Sequence, residues 1–211
     1  MCLCGCGAGP TFTGVADPRD ILHPTGGFGM EERELLAGLR RGEDPAFAEI
    51  FRMFYARLVR VADRVVNDTA RAEDVAQEVM LELWRRRAEL PDDTRLQAYL
   101  FQSTRNRALN QVRHLRVVRE GEPYAPKPSA APATDAEALA GELEVRARAA
   151  VHELPDDLRE TFLLNRVDGL TYAECARVLE ISVKTVEARM GKALRRLRER
   201  LAPWLPEGRG W

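Results

Sequence analysis

Apolar residues recur at steps of three and four along most of the chain and no strand pattern appears, so the elements it predicts are helices. Leu35, Leu36 and Leu39 mark a short first helix. Asp44-Pro45 offers a capping carboxylate and a proline suited to a first turn. Phe47, Ile50, Phe51, Phe54, Leu58, Val61, Val65 and Val66 then form one face of a core helix. Asn67-Asp68-Thr69 breaks it and can cap a third helix, whose face is Ala72, Val75, Ala76, Val79 and Leu83. Pro91-Asp92-Asp93-Thr94 ends that helix, and a fourth, from about Arg95 to Val118, carries Leu96, Tyr99, Leu100, Leu109, Val112 and Leu115.

The pattern then stops and restarts. Gly121 to Gly141 contains four prolines among seven Ala residues and one Ser, the composition of a linker. As a flexible coil it would span roughly 25 Å on average and at most about 70 Å, so two modules could dock on separate sites. Beyond it, Leu154-Pro155-Asp156-Asp157 places an Asp to cap a helix with Leu158, Phe162 and Leu163 on its apolar face, and Gly169 can end that helix in a left-handed conformation. Thr171-Tyr-Ala-Glu174 has the form of a capping box opening a helix that ends near Leu179. Ser182 caps the last one, through Val186, Met190, Ala193, Leu194 and Leu197. The expected fold is all-α: two small helical domains, at 30–120 and 142–202, joined by a flexible linker at 121–141, with a disordered extension at 1–29 and a tail at 203–211.

Charge changes the picture, although the formal net charge is only −1. Arg95 to Arg119 holds six Arg and no acid, and Lys184 to Arg200 seven basic residues against two acids. Asp68 to Asp93, by contrast, carries eight acids against four Arg, and Asp135 to Glu160 eight against three. Two basic helical stripes, each preceded by an acidic stretch, are the footprint of a polyanion partner.

From Tyr172 to Arg195 a helix of two turns, a short turn at Glu180-Ile181-Ser182 and a longer basic helix make a helix-turn-helix. Ala176 packs at the crossing, Ile181 plugs the turn and Val186 anchors the second helix. With Val186, Met190 and Leu197 inward, Lys184, Glu187, Ala188, Gly191, Lys192 and Arg195 point outward and Arg189 lies at the edge. Lys184 and Thr185, near the start capped by Ser182, can reach base edges, and Glu187 can accept from cytosine. Arg189, Lys192 and Arg195 suit phosphates.

In the first module Asp74, Gln77, Glu78 and Leu81 share one helix face, acidic with an apolar edge, and Trp84 lies a turn beyond. Such a face suits a basic helical partner. Along the fourth helix Arg105, Arg107, Arg113 and Arg116 can neutralise phosphate, near the polar loop Asp92, Asp93, Thr94 and Arg95. Tyr99 reads as a core residue, while Phe101 is open between core and base stacking.

Three of the four cysteines stand in Cys2-Leu-Cys4-Gly-Cys6, with gaps tighter than those of zinc pairs. That stretch is read as a frayed end, with Met30 the better candidate start. Cys175 lies on an apolar helix face and is expected to act as a small core hydrophobe. No apolar run reaches a membrane span and no signal peptide is recognisable, which predicts a cytoplasmic protein without membrane insertion. No nucleophile-base arrangement, phosphate loop or metal spacing is found, so neither an enzyme nor a cofactor is expected.

These motifs carry a resemblance. Leu154-Pro-Asp-Asp-Leu-Arg-Glu-Thr-Phe-Leu-Leu, Gly169-Leu-Thr-Tyr-Ala-Glu and Ile181-Ser-Val-Lys-Thr-Val-Glu-Ala-Arg189 resemble region four of bacterial sigma factors. Ala72-Glu-Asp-Val-Ala-Gln-Glu-Val79, followed by Leu83-Trp84, is similar to the region-two helix that binds polymerase. Two such motifs in that order, over about residues 33 to 201 and without a domain between them, resemble the extracytoplasmic-function group.

The resemblance implies a subunit that supplies promoter specificity to RNA polymerase and has no catalysis of its own. Asp74, Gln77, Glu78, Leu81 and Trp84 would meet the clamp coiled coil of the polymerase's largest subunit. Arg105-Asn106, Asn110 and Arg113 lie where the family reads and opens the minus-ten element, with the Asp92–Arg95 loop supplying a base pocket. The second module would read the minus-thirty-five element, and an anti-sigma factor would be a further partner. The sequence departs from the family at Ser103-Thr104, where an apolar-alanine pair is usual, at Asn110, where Asp is common, and at Glu180, where the turn usually has glycine. A helix-turn-helix regulator with an N-terminal sensing or dimerising domain is the rival reading; it leaves the acidic face, polar loop and arginine helix of the first module unexplained.

Overall fold

The computed structural model describes residues 28–118 and 140–204, and every regular element among them is helical. The first module comprises α1 (Phe28–Arg41), α2 (Asp44–Val66), α3 (Thr69–Arg85), a 3-10 turn at Arg87–Glu89 and α4 (Leu96–Val118). The second comprises α5 (Ala140–His152), α6 (Asp156–Arg166), α7 (Tyr172–Leu179) and α8 (Val183–Leu201), with a closing 3-10 turn at Ala202–Trp204. The first helix begins two residues ahead of Met30. No helix among the described residues is long and apolar enough to cross a membrane.

The predicted stripe of α2 is buried at Ile50, Phe54, Leu58, Val61 and Val66, but Phe51 leaves it and is 38% exposed. Glu43, not Asp44, is the N-cap, with Asp44 in the first turn beside Pro45. At its far end Asn67 adopts a left-handed conformation, and Asp68 caps α3 by accepting from the Arg71 amide. α3 buries Ala72, Val75, Ala76, Val79 and Leu83 as predicted, and Met80 besides. α1 crosses α2 at Gly38, where a Cβ would stand 2.8 Å from that of Ala46, so only glycine permits the approach.

In the second module Pro155 is the N-cap of α6, with Asp156 and Asp157 in its first turn, where they oppose the helix dipole without a side-chain cap. Gly169 has φ +72 and ends the segment as predicted. Thr171 and Glu174 form both bonds of the capping box, and Ser182 caps α8 by accepting from the Thr185 amide. Glu180 takes the left-handed turn position at φ +56. α5, which the apolar pattern does not mark, packs on α8 through a cluster of Ala150, Leu154, Leu158, Ala193 and Leu197.

The modules do not stand apart. One apolar cluster runs from Leu58, Leu100 and Phe101 of the first into Leu164, Leu170, Cys175, Val178 and Leu179 of the second, and α4 packs directly on α7. In this arrangement the two modules share a core across α4 and α7. Each large apolar side chain so buried contributes about 1.5–3 kcal/mol, against a loop-closure cost that grows only slowly with length. The 121–141 linker lies outside the described residues except for Ala140 and Gly141, which belong to α5. The 1–29 extension likewise falls outside apart from the start of α1, as do tail residues 205–211.

Cys175 is the core residue the pattern predicts. It is fully buried with Sγ 3.8 Å from the Leu170 carbonyl. Burial first, and then the charges of Glu174 and Asp168, push its thiol from 9.0 up to about 12. The raised value means that this group's contribution to stability is complete below pH 9.0 and lost as pH rises toward about 12. Cys175 should therefore resist iodoacetamide at about pH 8 in the native chain and be alkylated in denaturant, as mapped by peptide mass spectrometry. Native alkylation would contradict the packing.

Thr104 is buried in α4 with its hydroxyl unpartnered. Thr104→Val keeps the shape and removes the unmet group. It should stabilise the chain by about 1 kcal/mol, raising Tm by roughly 2–4 °C. A lowered Tm would mean that the hydroxyl is satisfied.

Candidate nucleic-acid interface

α8 presents the basic face that the helical wheel predicts. Val186, Met190, Ala193 and Leu197 are buried, while Ser182, Lys184, Glu187, Ala188, Gly191, Lys192 and Arg195 are exposed. The crossing that aims this helix comes from α7, through buried Ala176 and the left-handed Glu180, and from Ile181, which packs on the core beneath. Thr185 is half-buried, its hydroxyl 2.8 Å from that of Ser182. Arg189, also half-buried, sits 3.5 Å from the Asp157 carboxylate of α6, which holds it at the rim of the face.

On α3 the predicted acidic face is intact: Asp74, Gln77, Glu78 and Leu81 are all exposed. Trp84 is half-buried, with Phe47 at 5.0 Å between ring centroids and the Arg87 guanidinium 4.3 Å from its ring centroid. Two aromatics that the sequence reading did not place in a site extend this surface. Phe51 stacks on Tyr55 at 4.5 Å, and the Tyr55 hydroxyl accepts from Gln77 at 3.4 Å. Helical period groups Phe51 with the buried stripe, so no signal in the sequence marks its exposure.

Along α4 the predicted polar groups converge, but several already have partners. Arg105 makes a two-pronged pair with Glu160 of α6 at 2.6 and 3.2 Å. Asn106 donates to Glu180 at 3.3 Å, and Gln102 to the same oxygen at 3.4 Å. Arg107 pairs with Glu78 at 2.7 Å, joining the arginine helix to the acidic face. Asn110 is exposed and accepts from Arg113 at 3.3 Å. The Arg116 side chain lies outside the described residues.

The loop before α4 is held by α1. Asp92 pairs with Arg40, Arg95 lies 3.9 Å from Glu32, and the same Glu32 accepts from the Gln97 amide at 3.3 Å. Thr94 closes the turn by donating its hydroxyl to the Pro91 carbonyl at 2.7 Å, while Asp93 is exposed. This loop, with Leu90 and Tyr99, lines a cleft of about 390 Å³ that Arg177 of α7 also borders. The question left open for Phe101 is thus answered, and Tyr99, half-buried against the core as expected, has a second role. Phe101 is fully buried, with Arg57 5.0 Å from its ring centroid, and offers no face to a base, because the second module packs over that side of α4. Tyr99 is the ring that lines the cleft.

Between the modules Asp168 is buried and meets Arg64 through both oxygens, at 2.6 and 3.3 Å, while Arg57 and Gln97 donate to its backbone carbonyl. Burial pushes the Arg57 pKa below its ordinary value and the Asp168 charge opposes that shift. No periodicity in the sequence connects these residues.

The sequence profile described as Sigma-70 region 2 matches residues 50–117, and that described as Sigma-70, region 4 matches 144–197. The chain is 34% identical over 173 residues to the ECF RNA polymerase sigma factor SigK of Mycobacterium tuberculosis, covering 78% of this chain and 92% of the relative. It is 27% identical over 194 residues to the RNA polymerase sigma-H factor of Pseudomonas aeruginosa, covering 84% and 97% respectively. Among solved structures it resembles CnrH in complex with the cytosolic domain of CnrY, with a TM-score of 0.56 and 25% identity over 81% of this chain and 97% of that one. The fold also matches the sigma factor RpoE of Bartonella quintana, solved with the anti-sigma factor NepR, with a TM-score of 0.59 and 23% identity over 74% of this chain and 96% of that one.

Gly191 stands on the exposed face of α8, and a Cβ there would meet nothing within 4 Å. Gly191→Ala should therefore stabilise the helix by roughly 0.5–1 kcal/mol, read as a higher Tm. An unchanged or lower Tm would show that the position is constrained within the fold.

Proposed function

The chain belongs to the RNA polymerase sigma factors of the extracytoplasmic-function type, and from that membership we propose that it binds core polymerase through α3 and directs it to promoters with minus-ten and minus-thirty-five elements. The observation that carries this reading is that one chain pairs the exposed basic face of α8 with an arginine- and amide-rich α4 set beside a polar loop and a cleft. α8 enters a major groove, Lys184 and Thr185 toward base edges, with Arg189, Lys192 and Arg195 toward phosphates. Releasing Arg189 from Asp157 would be part of docking.

The polymerase surface comprises Asp74, Gln77, Glu78, Leu81 and Trp84, and we extend it to Phe51 and Tyr55. Acidic groups around the exposed Phe51 and Leu81 and the half-buried Tyr55 and Trp84 suit a basic helical partner with apolar positions of its own, as a coiled coil of the polymerase would supply. Strand opening falls to α4 and the loop. Extracting a base costs a few kcal/mol, and a cleft walled by Tyr99, Asp93, Thr94 and Arg95 could receive it. Arg105, Asn106, Arg107, Asn110, Arg113 and Arg116 would follow the backbone of the opened strand. The catalysis belongs to polymerase, in the cytoplasm, and an anti-sigma factor restrains this subunit, by analogy with the similarly folded Bartonella quintana sigma factor solved with NepR.

Co-purification with core RNA polymerase tests the first half. Wild type should bind, and a folded Asp74→Ala, Gln77→Ala, Glu78→Ala variant should not. If neither binds while the chain still holds duplex DNA in a salt-dependent way, it is an ordinary helix-turn-helix regulator. The second half is tested by Lys184→Ala with Arg189→Ala, which should cut selection of the upstream element at least about tenfold while polymerase binding persists. Loss of both activities together would contradict the division of labour between modules.

A further inference from the structure

The polar loop before α4 makes its own shape but not its own attachment. Thr94 turns both its amide and its hydroxyl onto the Pro91 carbonyl, at 3.1 and 2.7 Å, which closes the turn locally. The junction with the helix has no such local support. The Arg95 carbonyl accepts the Tyr99 amide, so Arg95 is the N-cap of α4, and a guanidinium has no acceptor with which to cap. The first turn of α4 carries no acid either.

Both deficits are met from α1. Glu32, whose side chain is only 15% exposed, accepts from the Gln97 amide at 3.3 Å. That is the second amide of α4, one of the two that an N-cap side chain ordinarily serves, and the carboxylate charge complements the helix dipole there. The other oxygen of Glu32 lies 3.9 Å from Arg95. Arg40, about two turns further along α1, pairs with Asp92. The loop is thus held at residues 92 and 95, and Asp93, Thr94 and Arg95 line the cleft. α1 also packs on the 3-10 turn, which supplies Glu89 to the same cleft. Neither Glu32 nor Arg40 lines it.

Resting on the sigma reading, we propose that α1 belongs to the strand-opening machinery, with Glu32 and Arg40 as positioning residues that set the loop in its base-receiving shape before a base arrives. A loop that becomes ordered only at the moment of capture loses conformational entropy then, and the loss is subtracted from the affinity for the base. A loop fixed in advance has met that cost on folding. Glu32 and Arg40 act on the base only through the residues they hold. Their effect must therefore vanish when the base is missing, which a general contribution to stability would not do.

The test measures the affinity of holoenzyme, assembled from core polymerase and the full chain, for a fluorescent fork-junction DNA that carries the minus-ten element as single strand. Its sequence comes from a promoter that the holoenzyme selects from a randomised library, and each minus-ten position is made abasic in turn. With wild type, one abasic position should weaken binding far more than its neighbours, marking the base that the cleft receives. Glu32→Ala should join core polymerase as wild type does and bind the intact fork about fivefold more weakly. On the fork abasic at the marked position it should equal wild type. Arg40→Ala should give the same pattern with a smaller loss. Glu32→Gln keeps an acceptor for the Gln97 amide and Arg40→Lys keeps a charge opposite Asp92, so both should recover most of the affinity. A deficit of the same factor on every fork, or no deficit on the intact one, would overturn the proposal while leaving the sigma reading in place. Failure of wild type to assemble with core polymerase would sink the sigma reading and this inference with it.

Discussion

One helix carries incompatible demands. α4 must be apolar where α2 and α3 close on it, apolar again where α7 packs, and polar where a strand would lie. Its sequence resolves this by length and by size. Leu96, Leu100 and Phe101 fill the two apolar contacts, while Ala98 and Ala108 keep neighbours close. Gln102, Arg105, Asn106 and Arg107 take what circumference is left. Thr104, buried without a partner, shows how little tolerance remains between those faces.

The alternation of acidic and basic stretches along the chain acquires a spatial reason in this light. Glu78 of the acidic α3 meets Arg107, and Glu160 at the end of the second acidic stretch meets Arg105. A chain with a formal net charge of −1 thus neutralises its own basic stripes in pairs across elements. On α8 this holds only in part: Arg189 and Arg200 pair with Asp157 and Glu153, while Lys184, Lys192 and Arg195 are exposed on its outward face. The exposed Arg107–Glu78 pair contributes about 0–1 kcal/mol, and the part-buried Arg105–Glu160 pair must offset the desolvation of both its groups. They specify an arrangement more than they stabilise one; the apolar cluster through Phe101 and Leu179 does the stabilising.

Local features were legible because each rests on neighbours in sequence. The capping box at Thr171 and Glu174, the left-handed Gly169, the Ser182 cap and the inward positions of α8 all follow from spacing alone. α5 was not legible, since its contact with α8 uses few large apolar side chains. Phe101 stayed open between two roles because helical period says which residues share a face but not which face a distant module will cover. The composition of the linker argued for independence, and nothing in it reveals that α4 and α7 are complementary. Asp168 and Arg64, 104 residues apart, meet only through that packing.

The brace formed by α1 sets a limit on how short the working unit can be. Glu32 and Arg40 reach across to the loop before α4, one receiving the Gln97 amide and the other pairing with Asp92. A polypeptide begun at Met30 would keep both, whereas one begun at Arg33 would leave that amide at the head of α4 without its carboxylate. The smallest gene that encodes a properly held loop is therefore decided by a side chain some 65 residues upstream of the backbone it serves.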